Sequence, residues 1–201
     1  MSPTESLTVS GAVEGLVDRA VATALLHHVR LQAGPVHVKG GKPNLLARLD
    51  GYNNAARFSP WLVLVDLDRH DECAAAFVRR HLPDPAAGMH LRVAVRQVES
   101  WLMADAEELS TFLSVPRSSV PSDPDRCEDA KRDMVMLSGR SRRRLVRDEM
   151  LPRPRSGRAV GPAYTSRLIE FVSTRWRPEH AAMRSESLER CVRRLLEVAS
   201  A

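Results

Sequence analysis

Two aspartates, Asp66 and Asp68, close the stretch Trp61-Leu62-Val63-Leu64-Val65-Asp66-Leu67-Asp68, and carboxylates at that spacing suit a hard divalent cation. In an extended chain, residues i and i+2 face the same side about 7 Å apart, so both acids can look into one crevice without touching. Two anions so placed repel each other unless a cation compensates. The apolar run Trp61 to Val65 ahead of them reads as a strand buried on both faces. Its carboxyl end would open into the crevice where open parallel sheets bind ligands. A solvated loop after a core strand is the plainer reading of a lone acid pair, and the elements around it decide between the two.

Residues 6–12 and 35–38 read as two further strands and 89–95 as a fourth. Glu14 follows the first strand, at the turn into a helix predicted over 16–29 from Leu16, Val17, Ala20, Val21, Ala24 and Leu25. Gly15 permits a tight turn there, and Asp18 suits the positive end of the helix dipole. Glu99 follows the fourth strand. After the second strand, Lys39-Gly40-Gly41-Lys42 reads either as a plain turn or as a place where a phosphate approaches the backbone while Lys42 supplies charge. Helical spacing over 43–57 is broken at Gly51, and a helix over 74–82 is ended by Pro83 and Pro85. Residues 97–115 read as helix, with Asp105 and Glu108 resembling a capping box that splits it in two. Asp105 is therefore read as a cap rather than a ligand.

This alternation predicts an α/β fold: a four-stranded, mainly parallel sheet with right-handed crossovers and helices on both faces, plus a C-terminal helical extension. Glu14, Asp66, Asp68 and Glu99 would then share one edge. Four converging carboxylates raise one another's pKa unless cations compensate, so a metal site is the economical reading. Pro116 to Pro124 is the linker candidate, and only helices are expected beyond it. They cover about 127–137, the arginine-rich segment 140–151, a helix 162–176 opened by Gly161-Pro162 and stopped before Pro178, and a last helix 185–199. Their apolar stripes are Tyr164, Leu168, Phe171 and Val172, and Leu188, Val192, Leu195 and Leu196. The expected division is an α/β domain over 1–115 and a helical, arginine-rich extension over 125–201.

The chain's 201 residues are 43% hydrophobic and only 4% aromatic, so Leu, Val and Ala must fill the core. Cys73, Cys127 and Cys191 are far apart and lack metal-ligand spacing, which suggests reduced thiols. No basic residue precedes Arg19 and no apolar run approaches ~18 residues, so a soluble, cytoplasmic protein without a membrane partner is expected. The net charge of +5 is uneven: residues 140–167 hold nine arginines against Asp148 and Glu149, a balance of +7, leaving −2 elsewhere. Such a patch is the footprint of a phosphate-rich partner, DNA or RNA, with Lys39, Lys42, Arg140, Arg142, Arg143, Arg144 and Arg147 as candidate contacts. A solvated helix face is the simpler alternative.

Val13-Glu14-Gly15-x-x-Asp18 after a first strand, then a buried strand ending Asp66-x-Asp68, resembles the Toprim domain of topoisomerases, primases and OLD-type nucleases. Val98-Glu99-Ser100-Trp101-Leu102-x-Ala104-Asp105, Gly161-Pro162-x-Tyr164 and the serine-rich start of the last helix resemble small bacterial Toprim-like proteins encoded beside AAA or SMC-like ATPases. This resemblance spans essentially the whole chain. It implies Mg²⁺ or Mn²⁺ held by Glu14, Asp66 and Asp68, with Glu14 as ligand or general base, Glu99 as a supporting ligand and Lys42 near the chemistry. It also implies phosphoryl transfer on nucleic acid by an endonuclease in phage defence or DNA repair, with an ATPase partner; a homodimer stays open. Only Tyr52 and Tyr164 are present and no separate domain carries a topoisomerase nucleophile, so hydrolysis is expected rather than strand passage. Two alternatives stand beside it. One is a regulatory, inactive Toprim-like subunit of an ATPase complex; the other is a haloacid-dehalogenase-like phosphatase, against which His70 and the absence of a later Gly-Asp-x-x-Asp both count.

Overall fold

The computed structural model describes residues 7–67 and 73–200. The chain divides into two compact units, Met1–Ala94 with Arg190–Ala201, and Val95–Glu189.

In the first unit, β1 (Thr8–Val13), β2 (Gln32–Val38), β3 (Trp61–Asp66) and β4 (Met89–Ala94) form one sheet in the order β2-β1-β3-β4. Every pairing is parallel, so the fold is α/β as expected and the sheet is wholly rather than mainly parallel. Leu62, Val63, Leu64 and Val65 are at most 1% exposed, which makes β3 the apolar spine, each side chain contributing about 1.5–3 kcal/mol. Helix α1 (Leu16–His28) joins β1 to β2; α2 (Lys42–Leu46) and α3 (Leu49–Ala55) join β2 to β3; α4 (Ala74–His81) joins β3 to β4. The chain steps one way from β1 to β2 and the other way from β3 to β4. Right-handed crossovers therefore put α1 on one face and α2, α3 and α4 on the other. The reversal falls between the adjacent strands β1 and β3, the switch point at which open α/β sheets bind ligands.

In this unit two departures from the sequence reading have a structural reason. β2 begins at Gln32 rather than 35, because an edge strand tolerates Pro35, and the missing N–H coincides with a register shift between Val9 and Gly11. Helix α3 runs through Gly51, with the break at Ala47–Arg48. Tyr52 stacks on Trp61 at 5.0 Å and Leu49 is buried, and this packing outweighs the roughly 1 kcal/mol that glycine costs inside a helix.

Every regular element described in the second unit is helical: α5 (Val98–Ala104), α6 (Ala106–Leu113), α7 (Ala130–Gly139), α8 (Arg144–Met150), α9 (Tyr164–Thr174), α10 (Pro178–Ala182) and two 3₁₀ turns. Helix α11 (Glu186–Ala199) starts here and continues into the first unit from Arg190. Asp105 separates α5 from α6 as expected, accepting the Glu108 N–H at 3.5 Å. Residues 116–124 lie inside this unit: Val120 and Pro124 are buried, and the carbonyls of Pro121 and Ser122 accept from Arg184 at 2.8 and 3.1 Å.

Helix α7 starts at Ala130 instead of 127 because Asp129 caps it, accepting the Arg132 N–H at 3.0 Å. Helix α9 starts at Tyr164, so Gly161-Pro162 does not open it. Gly161 instead donates its N–H to Met150 O at 2.9 Å, and a Cβ there would collide with the backbone of Glu149, Met150 and Leu151. Pro178 opens α10, a position where its missing N–H costs nothing. The α9 stripe is buried as expected. In α11, Leu188, Val192 and Leu195 are buried whereas Leu196 is 49% exposed. Among the described residues no helix is long and apolar enough to cross a membrane.

Candidate functional site

The site is built outward from Glu14. β1 stops at Val13, and the chain turns through Glu14 and Gly15 into α1. The buried Asp18 folds back over that turn so closely that a Cβ on Gly15 would lie 3.0 Å from its Oδ2. On one side, the loop after β2 seizes the Glu14 main chain. The N–H groups of Gly40 and Gly41 both donate to Glu14 O, at 2.9 and 3.2 Å, while Lys39 N–H donates to Val13 O at 2.9 Å. Gly40 and Gly41 have φ of 71° and 120°, a left-handed path that other residues take only with strain. On the other side, Glu14 Oε1 accepts the Asp66 N–H at 2.9 Å. The ends of β2, β1 and β3 are thus pinned together at one residue.

This arrangement revises the reading of the Lys39–Lys42 turn. Its two glycine amides are spent on Glu14 O, so the pair serves as a prop for the glutamate and not as a cradle for phosphate. Lys42 sits with Nζ 5.3 Å from the Phe77 ring centroid, a cation–π contact between α2 and α4 on their shared face. Half-buried Lys39 also accepts from Asn44 Nδ2 through its carbonyl, at 3.2 Å.

Asp66 ends β3, half-buried and in register with Ala94 of β4. Glu14 and Asp66, at the ends of adjacent strands, carry carboxylate oxygens, donors that suit a hard cation such as Mg²⁺ or Mn²⁺ better than a soft one. Asp68, expected as a further ligand, and His70 lie outside the described residues. Among the described residues no three His, Cys, Asp or Glu side chains form a metal-holding group.

Glu99 belongs to the second unit and is only 2% exposed. Its Oε1 accepts the Tyr164 O–H at 3.1 Å and lies 3.7 Å from Lys131 Nζ. Trp101 Nε1 donates to Ser187 Oγ at 2.7 Å, and Asp125 receives both the Ser185 hydroxyl, at 2.7 Å, and the Ser187 N–H, at 3.2 Å. Burial raises the Asp125 carboxyl above its ordinary range, against the lowering effect of those serine hydrogen bonds. Residues 98–105 are therefore tied to Tyr164 by a buried hydrogen bond and to the start of α11 by a part-buried one.

Of the basic candidates, Arg140, Arg142, Arg143 and Arg144 are exposed. Arg144 pairs with Asp148 at 3.4 Å, an exposed i,i+4 contact worth well under about 1 kcal/mol. Arg147 is half-buried and its guanidinium donates to Ser141 O, so part of its role is to hold the turn before α8. Sequence spacing did not single out Arg167 and Arg175, which share a cavity with Arg143. They come from α9 and its C-terminal end, and only their place in the lining of the same cavity marks them.

The first unit is thus a parallel α/β sheet with Glu14 and Asp66 at the carboxyl ends of adjacent strands, and the second is helical and carries exposed arginines. No protein-family model, curated protein or solved structure matches the chain.

Proposed function

We propose that this chain is a Mg²⁺- or Mn²⁺-dependent phosphoryl-transfer enzyme acting on nucleic acid, an endonuclease. The observation that carries the reading is the hydrogen bond from Asp66 N–H to Glu14 Oε1, which holds the Glu14 carboxylate against the end of β3, where Asp66 stands, at the carboxyl edge of the sheet. A divalent cation, when bound, supplies a polarised water and charge neutralisation for in-line displacement at phosphorus. Asp66 contributes an oxygen donor, with Asp68 two residues on in sequence. Glu14 is the candidate base, its carboxylate oriented by the Asp66 amide and its backbone by Gly40 and Gly41. Lys42 follows Gly41 directly and is the basic candidate for contact with a substrate phosphate. The exposed Arg140, Arg142, Arg143 and Arg144 favour binding through phosphate contacts, with a steep dependence on salt and slight base preference.

The test compares wild type with Asp66→Ala on plasmid, single-stranded DNA and tRNA in Mn²⁺. Wild type degrades at least one substrate and the variant does not. Equal degradation by both proteins, or none by either, removes the catalytic claim.

A further inference from the structure

The second unit contains a cavity of about 350 Å³, within the size range of small-molecule sites. Phe112, Leu145, Val146 and Met150 give it an apolar floor, and Leu145 is 60% exposed although apolar. Arg143, Arg167 and Arg175 stand on its walls with Glu170. A second, more open cavity of about 480 Å³ shares Thr111 and Arg143 with the first and adds Arg142, Ser114 and Ser110, the last with its hydroxyl donated to Glu107 O at 2.9 Å. The two therefore meet at Arg143.

The cations are unequally committed. Arg167 is paired with Glu149 and, at 2.9 Å, with Glu170; Arg175 lies 3.5 Å from Glu108. Arg142 and Arg143 are consecutive and exposed, and among the described residues neither has a carboxylate in ion-pair reach. Guanidinium groups with hydroxyls beside them match the several oxygens and near-double charge of a phosphate better than a single carboxylate. The neighbouring floor, one aromatic and three aliphatic side chains, suits a flat apolar body. Glu170 and the hydroxyl oxygen of Thr174, whose O–H is donated to Glu170 O at 2.7 Å, can accept hydrogen bonds from base or sugar groups, whereas a bare alkyl chain would leave them facing hydrocarbon.

We infer that this paired cavity binds a nucleoside phosphate, its phosphate between Arg142 and Arg143 and its base over Phe112 and Leu145. The ligand is either a free nucleotide or the phosphorylated end of a strand. This site lies wholly within the second unit and does not depend on metal chemistry at Glu14 and Asp66.

The test is calorimetric titration of the full chain in EDTA, which removes divalent cations, so a failed nuclease assay and a failed titration remain distinct results. The probes are AMP, adenosine, inorganic phosphate and a short 5′-phosphorylated oligonucleotide with its unphosphorylated counterpart. AMP is expected to bind at least about tenfold more tightly than adenosine or inorganic phosphate. Arg143→Gln weakens AMP by about tenfold or more, while Arg153→Gln on the exposed loop leaves it unchanged. If the phosphorylated oligonucleotide alone shows this pattern, the occupant is a strand end and the inference stands. Thermal melting checks the fold of Arg143→Gln, and Arg142→Gln replaces it should the first variant misfold. Adenosine binding as well as AMP, equal effects of Arg143→Gln and Arg153→Gln, or no binding of AMP and oligonucleotide at millimolar concentration overturns the inference.

Discussion

The carboxylate of Glu14, at the end of β1, accepts the backbone N–H of Asp66, at the end of β3, at 2.9 Å. The bond is part-buried, so the glutamate has a structural duty in addition to any chemistry. Glu14→Ala leaves the Asp66 amide without that acceptor and is expected to cost about 1–2 kcal/mol in urea denaturation. Glu14→Gln keeps an acceptor oxygen and costs less. Both variants lose Mn²⁺-dependent cleavage by about 10²-fold or more if the carboxylate acts in the reaction. Equal destabilisation by Ala and Gln would show that the hydrogen bond contributes nothing.

Asp105 is 1% exposed at its side chain and receives three donors from Arg177: the backbone N at 3.0 Å, Nε at 3.0 Å and Nη2 at 2.7 Å. Removing the guanidinium strands a buried carboxylate, so Arg177→Ala should destabilise by roughly 3 kcal/mol. Arg144→Ala, which breaks an exposed pair, should change stability by no more than about 0.5 kcal/mol. Similar denaturation midpoints for the two variants would contradict this ranking.

Burial holds the His90 imidazole at about 4, below its ordinary 6.5, with Arg194 and Arg92 adding to the effect and Glu197 opposing it. The unfolded chain therefore takes up this proton first as pH falls. The contribution of neutral His90 is complete above pH 6.5 and is lost progressively down to about pH 4, a total of about 3 kcal/mol. His90→Asn should flatten stability against pH across that window. An unchanged slope in the variant would mean that other groups carry the acid sensitivity.

The three thiols should separate by reactivity. Cys73 is exposed, whereas burial pushes the Cys127 and Cys191 thiols up to about 12, Asp133 adding to the shift at Cys127. Only thiolate alkylates, so iodoacetamide at about pH 8 should modify Cys73 at least about a hundredfold faster than the other two. Peptide mapping by mass spectrometry reads the order, and rapid labelling of Cys191 in the native protein would contradict the packing of α11.

Glycine substitutions test two close readings of the backbone. Gly161→Ala forces a methyl into the main chain of Glu149, Met150 and Leu151, which cannot swing aside as a side-chain tip would, and should cost roughly 2–3 kcal/mol. Gly51→Ala, in the middle of α3 with nothing within 4 Å, should gain about 0.5–1 kcal/mol. Thermal melts moving in the same direction for both would refute one of these placements.

Strand β3 was legible in the sequence because Leu62 to Val65 is an apolar run whose burial leaves little choice, and β1 ends in the shorter run Gly11-Ala12-Val13. The position of Glu14 was legible for the same reason: it is the first polar residue after such a run. What spacing did not disclose was tertiary. Gly51 looks like a breaker until Tyr52 is seen against Trp61, and Gly161 looks like a cap until its neighbours are the backbone two turns of chain away. Glu99 was grouped with the sheet-edge acids because it follows β4. Its described partners, Tyr164 and Lys131, sit far along the chain in the helical unit, a pairing that no local pattern announces. The Gly40-Gly41 pair was visible as a turn, but the target of its amides, Glu14 O, was not.

From Arg190 onward α11 counts with the sheet, although the whole helical unit intervenes after β4. A ribosome that has released all four strands has therefore not yet made Cys191, Val192, Leu195 and Val198, side chains that are buried in the finished protein. During synthesis the first unit stays incomplete until α11 emerges, and that interval is when aggregation or chaperone capture competes with folding.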